Sequence, residues 1–164
     1  MTTTVTSRSG AGRILLAGGL AVLASVATAG MASAQDASLR PNFGTANLSG
    51  GFRPDPHVVN LTAGGDIDAS SLGGACAGKI TSAPDYRINY QASGGLALTV
   101  RVRSQTDTTL VINKPNGQWS CSDDVSGINP GLVFRNAASG VYDIWVGTYG
   151  DEPASGQLRI TELE

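Results

Sequence analysis

Side chains able to do chemistry are scarce in this 164-residue chain, which has one histidine, two cysteines and aromatic residues at only 5% of positions. One histidine and two separated cysteines match no zinc-ligand spacing, which excludes the usual structural and catalytic zinc sites. No serine sits in a Gly-x-Ser-x-Gly elbow, no Gly-rich loop leads into a helix, and no twelve-residue EF-hand loop is present. Nucleophile-elbow hydrolases, P-loop enzymes and dinucleotide-binding enzymes are thereby set aside. A sustained 3.6-residue apolar stripe is also missing, so a helical bundle is excluded.

The one long apolar run lies at the N-terminus. Arg8 and Arg13 precede an Ala/Leu/Val-rich stretch from Ile14 to about Ala29, which ends in Ala32-Ser33-Ala34. A charged start, a short apolar centre and an Ala-x-Ala triplet form a secretory signal peptide, and cleavage is expected after Ala34. Gly18 and Gly19 interrupt the run, which is shorter than the roughly 20 apolar residues a membrane span needs. Cleavage removes two of the eleven Lys/Arg and none of the thirteen Asp/Glu, leaving a net charge of about −4. Nucleic acid is a poor partner for such a chain. Export, to the periplasm or beyond the cell, also decides the cysteines, because in an oxidising compartment Cys76 and Cys121 are read as one disulfide.

The remaining chain fits one domain. The segment 35–56, rich in Pro, Gly, Asn and Ser, reads as an extended lead-in in which Gly44 to Leu48 adds a short edge strand; the domain proper is expected over 57–164. There the pattern has period two. Strands are predicted at Val58–Thr62, Tyr86–Tyr90, Leu96–Arg103, Thr109–Asn113, Gln118–Cys121, Leu132–Arg135, Val141–Tyr149 and Gln157–Leu163, each bounded by turn residues. Leu96, Leu98, Val100 and Val102 alternate with Ala97, Thr99, Arg101 and Arg103, which predicts one buried and one wet face. Lys114-Pro115-Asn116-Gly117 has the chemistry of a hairpin turn. Short strands at this spacing specify an all-β sandwich or barrel.

Three segments together are recognisable. Asp107-Thr108-Thr109-Leu110-Val111-Ile112, then Pro115-Asn116-Gly117-Gln118-Trp119-Ser120-Cys121-Ser122-Asp123-Asp124, and then, beyond Asn129-Pro130, Ser139-Gly140-Val141-Tyr142-Asp143-Ile144-Trp145-Val146-Gly147-Thr148-Tyr149 resemble the bacterial pre-peptidase C-terminal domain family. With Cys76-Ala77-Gly78 upstream, the resemblance runs from about Phe52 to the C-terminus. It implies a jelly-roll-like antiparallel β-sandwich of about eight strands. Members are often accessory domains of secreted proteases, and some bind calcium or help an enzyme engage its substrate. No protease domain accompanies this one.

Calcium needs several oxygen ligands and accepts loop carboxylates in flexible geometry. Asp123 and Asp124 lead a turn containing Ser126, Gly127 and Asn129, while Asp107 opens the preceding strand. An intervening hairpin puts both at one end of the sandwich, either as a calcium site or as plain turn chemistry in which carboxylates accept backbone N–H bonds. Asp66 and Asp68 form a weaker pair of the same kind. In the strand 141–149, Tyr142, Ile144 and Val146 share the face expected to point inward. That leaves Trp145 and Tyr149 beside Asp143 on the outer face, as a platform for a sugar or peptide unless a long loop or the lead-in covers it. Trp119 is expected to pack on the disulfide. His57, at the entrance of a strand, lacks triad partners.

The sequence therefore predicts an exported non-catalytic binding module, with calcium as its one candidate cofactor and a polysaccharide or another exported protein as its ligand. An alternative is a periplasmic inhibitor of a hydrolase such as lysozyme, since Ser139-Gly140-Val141-Tyr142 resembles, one residue short, the Ser-Gly-x-x-Tyr loop of such inhibitors. A further alternative is an accessory or relic domain of a secreted peptidase, whose own activity would need more than His57.

Overall fold

The computed structural model describes residues 1–4 and 34–163; the chain divides into two units, 1–31 and 32–164, and the fold is that of the second. The expected signal peptide lies outside the described residues except at its two ends. Eleven strands occur among the described residues: β1 (Thr45–Ser49), β2 (His57–Ala63), β3 (Ile67–Asp68), β4 (Lys79–Ile80), β5 (Tyr86–Gln91), β6 (Leu98–Ser104), β7 (Thr108–Asn113), β8 (Trp119–Ser122), β9 (Gly131–Phe134), β10 (Gly140–Thr148) and β11 (Ala154–Thr161). The helical element among them is a 3-10 turn at Ala69–Leu72. Two sheets form a β-sandwich, as expected: a seven-stranded one centred on β10, and a four-stranded one in the order β2-β11-β6-β9.

Strand β10 earns its central place by burying both faces, which suits a strand flanked on both edges and covered above and below. One edge pairs with β7 from Asp143 to Thr148; the other pairs with β5 from Gly140 to Ile144 and with β4 at Thr148. Tyr142, Ile144 and Val146 point between the sheets, where they meet Leu98, Val100 and Val102 of β6 and Leu158 and Ile160 of β11. The β7–β8 hairpin forms as predicted: Lys114 N–H donates to Gln118 O at 2.9 Å and Gly117 N–H to Lys114 O at 2.8 Å. Gly117 takes a φ of 77°, which residues with a Cβ adopt only with strain.

Between the end of β5 and the start of β4, the edge of β10 has no strand partner at Val146. Gly64 N–H fills one half of the gap by donating to Val146 O at 3.0 Å. The carboxylate of Asp85 fills the other, its Oδ2 accepting the Val146 N–H at 2.7 Å. Asp85 is fully buried, and Asn42 Nδ2 donates to its Oδ1 at 3.2 Å. Burial pushes its pKa up to about 6, against these hydrogen bonds, which act to lower it.

Several sequence expectations need correction. The lead-in supplies the expected short edge strand, β1, beside β5, and goes further than expected in sending Leu48 and Phe52 into the core. That pairing is parallel, a departure from a wholly antiparallel sheet. Leu96 is exposed, since β6 begins only at Leu98, and Thr99 is buried on the side expected to be wet. Strands β3 and β4, at two residues each, are too short to show a period.

The outer face of the large sheet carries a second apolar cluster. Val111 and Trp145 pack there with Ile67, Ala69 and Ile80, and Trp119, Cys76 and Cys121 adjoin them. Cys76 and Cys121 are disulfide-bonded, as expected, with Cα atoms 4.9 Å apart. The bond ties the segment after the 3-10 turn to β8 and so holds the cover over Trp145.

Candidate functional site

Two turns converge at the end of the β7–β8 hairpin. Asp107 sits between β6 and β7, and Asp123 and Asp124 follow β8. Leu110 stands opposite Ser122 in the register, so both turns emerge at the same end. Each carboxylate offers an oxygen, and the three oxygens lie within 4.8 Å of one another.

The loop that carries Asp123 and Asp124 is folded back on itself. Val125 and Ser126 N–H both donate to Asn129 O at 3.1 Å. Asn129 then fastens the loop to the end of β6: its Oδ1 accepts Ser104 N–H at 2.7 Å, and its Nδ2 donates to Ser104 O at 3.2 Å. On the other turn, Asp107 O accepts Tyr149 N–H at 3.2 Å, and Ile128 O accepts Thr108 N–H at 3.3 Å. These bonds hold the carboxylates in place from the backbone side. Asn129 is the residue that sequence reasoning undervalued: it appears as one more turn residue, yet its amide is wholly engaged in positioning and is not a spare ligand.

The electrostatics of the cluster are those of crowded like charges. Burial, reinforced by the neighbouring charges of Asp124 and Asp107, pushes the Asp123 carboxyl above its ordinary range. Asp107 Oδ1 and Asp123 Oδ1 are shielded from solvent and accept no hydrogen bond among the described residues. Plain turn chemistry would direct backbone N–H groups at these oxygens. A divalent cation would satisfy them, since three clustered carboxylates supply part of the six to eight oxygens that calcium takes.

No protein-family description matches the chain, and no curated protein matches it in sequence. Among solved structures, the pre-peptidase C-terminal domain of a collagenase from Bacillus anthracis is similar at 15% identity and a TM-score of 0.43, covering 75% of this chain and 99% of that one. A periplasmic inhibitor of g-type lysozyme from Aeromonas hydrophila is similar at 16% identity and a TM-score of 0.39, covering 72% of this chain and 96% of that one. At these values neither assigns a family or an activity to the chain.

The other candidates fare differently. Trp145 and Asp143 are buried, so they do not form an exposed platform with Tyr149, which alone of the three is open to solvent. The covering residues are Ile67, Ala69, Ile80 and the disulfide pair, with Ala37 of the former lead-in beside them. Asp143 faces Arg87, whose Nε donates to its Oδ1 at 2.5 Å. Burial raises the Asp143 pKa and Arg87 opposes that rise. Trp119 packs on Trp145 with ring centroids 5.3 Å apart, beside the disulfide, as expected. Asp68 caps the 3-10 turn by accepting Ser70 N–H at 2.9 Å and pairs with Lys79 at 3.8 Å, while Asp66 is exposed. Asp68 is thus engaged in turn chemistry.

His57 meets Tyr86 Oη at 2.9 Å, and partial burial lowers its pKa. Its ring partner is a phenol, whereas a triad needs a serine and an acid. Tyr142 is turned into the core, its hydroxyl donating to Ala138 O at 2.9 Å. Ser139 lies in a bend, where its Oγ accepts Ala92 N–H at 2.9 Å, and Gly140 to Tyr142 open β10.

Proposed function

We propose that the chain is an exported, non-catalytic binding module whose loop end at Asp107, Asp123 and Asp124 holds a calcium ion. The observation that carries the calcium reading is the pair of shielded, unpartnered oxygens on Asp107 and Asp123 within a three-carboxylate cluster. Bound calcium would fix the 123–130 loop against the β6–β7 turn, and so fix the end of the sandwich from which loops reach a ligand. Export is supported by the disulfide and by the Ala-x-Ala pattern that precedes it. The non-catalytic reading is supported by the engagement of His57 with the phenol of Tyr86.

Thermal melts with and without calcium test the site. A dissociation constant of 10⁻⁴ to 10⁻³ M, in the extracellular range, would give about 1.4–2.7 kcal/mol of stabilisation at about 10 mM calcium. The substitution Asp123→Asn should abolish that increment. It should also raise the stability of the calcium-free chain slightly by relieving repulsion. A melt unchanged by calcium would overturn the metal site and leave the binding module to be judged on its ligand.

A further inference from the structure

The outer face of the four-stranded sheet carries a concentration of the opposite charge. Leu98, Val100, Val102, Leu158 and Ile160 point into the core, so alternation turns Arg101, Arg103 and Arg159 outward. Arg159 stands directly opposite Arg101 in the β11–β6 register, with Gln157 opposite Arg103. The outward residues of β2 and β11 beside them are hydroxyl, amide or aliphatic, with no carboxylate among them. In a chain whose acids outnumber its bases, this grouping favours an anionic partner.

The side chains there are partly pre-arranged. Arg159 Nη1 donates to Gln157 Oε1 at 3.2 Å, and Gln157 Nε2 donates to Asn60 Oδ1 at 3.2 Å, a relay running across β11 to β2. One guanidinium donor is used in this way, and Arg has five. Arg103 lines three adjoining hollows: one of about 140 Å³ shared with Arg101 and Arg159, one of about 560 Å³ reaching Asn60, Ser155 and Gln157, and one of about 560 Å³ reaching Asn129. Together they make an open, shallow track lined by guanidinium, amide and hydroxyl groups.

We propose that this face binds an acidic polysaccharide, its carboxylates taken by Arg103 and Arg159 and its hydroxyls by Asn60, Ser155 and Gln157. Guanidinium forks match carboxylates, and the amide ladder between them matches sugar hydroxyls. A protein partner fits less well, because the face offers no aromatic anchor of the kind that dominates protein interfaces. Nucleic acid fits less well too, because the outward residues of β2, β6 and β11 include no aromatic ring on which a base could stack. The inference names the ligand class of the binding module proposed above and does not depend on its calcium site.

The test is titration of the chain, in EDTA at low salt, with polygalacturonate, with neutral dextran and with poly-glutamate. Polygalacturonate should bind, dextran should not, and poly-glutamate should bind at least about tenfold more weakly. The double substitution Arg103→Gln, Arg159→Gln should weaken polygalacturonate binding by about tenfold or more while leaving the melting temperature in place. Lysine at both positions should restore part of the affinity, because charge returns without the fork. Asp123→Asn should bind like the parent, which separates this face from the calcium reading. Failure to bind polygalacturonate, equal binding of poly-glutamate, or an undiminished arginine-to-glutamine variant would each overturn the proposal.

Discussion

Asp85 should make the sandwich less stable as the pH rises from mild acid to neutral, because its buried carboxyl is easier to keep protonated in the folded chain than in the unfolded one. Its ordinary value is 3.8 and its folded value about 6. By linkage, folding is favoured by proton binding over that interval, so the stability is fully present below pH 3.8 and is lost as the pH passes through 6. The interval corresponds to about 3 kcal/mol, of which about 2 kcal/mol falls between about pH 4.5 and 7.5. Asparagine is the informative replacement, since it stays neutral and keeps an oxygen for the Val146 N–H. Urea denaturation of both chains across that range should show the Asp85→Asn variant gaining about 2 kcal/mol on the parent as the pH rises. His57, whose lowered pKa acts with the opposite sign, is common to both chains and cancels in the difference. A pH-independent difference would refute the account of Asp85 as a charge held in the gap beside β10. Alanine, equally uncharged, should run about 1–3 kcal/mol below the asparagine variant at every pH by leaving the Val146 N–H buried and unpaired.

Other consequences follow from the same packing. Replacing Cys76 and Cys121 together by alanine opens a loop closed over a sequence separation of 45 residues. That should cost about 4 kcal/mol in denaturant titrations and shift tryptophan emission to the red as the cover over Trp145 loosens. Arg87→Met strands Asp143 without its cation and should cost about 3–5 kcal/mol by calorimetry, with part of the loss recovered in the double variant that adds Asp143→Leu. Gly78 combines a φ of 85° with a Cβ position only 2.4 Å from Thr109 Oγ1. Gly78→Ala should therefore destabilise by about 1–3 kcal/mol in thermal melts.

Much of the sandwich was legible because its strands are half-buried, and a half-buried strand prints its two faces on the sequence. Leu98, Val100 and Val102 against Arg101 and Arg103 are the plainest case. Strand β10 is ambiguous for the converse reason. Once both faces are buried, alternation no longer says which side meets solvent: it leaves Trp145 and Asp143 either open or under a covering segment, and the structure buries both, Trp145 within a second core. Nothing in β10 itself announces that core, which is assembled from two-residue strands, a 3-10 turn and a disulfide far away in sequence. The acidic cluster was legible because a four-residue turn returns β8 alongside β7, so Asp107 and the Asp123–Asp124 pair had to meet. The arginine face was half legible: Arg101 and Arg103 share a side by period, but the register that brings Arg159 opposite Arg101 is set by the pairing of β11 and is written in no local pattern.

Perturbed titratable groups cluster at functional sites in many proteins, and that tendency can be applied residue by residue here. Asp85 closes a gap in the sheet, Asp143 is answered by Arg87, Tyr142 donates to a backbone carbonyl, and Tyr90 Oη donates to Glu162. Glu162 in turn accepts Gly51 N–H, so that clasp fastens the β1–β2 connection to the end of β11. Each of these shifts has a structural cause that uses the group up. Asp123 differs, because its raised pKa comes from burial and from neighbours of the same sign, with nothing opposite to relieve it. A carboxylate in that position has the oxygen chemistry of a ligand for a hard cation. The calcium proposed for the loop end would answer that repulsion, which no group inside the core requires.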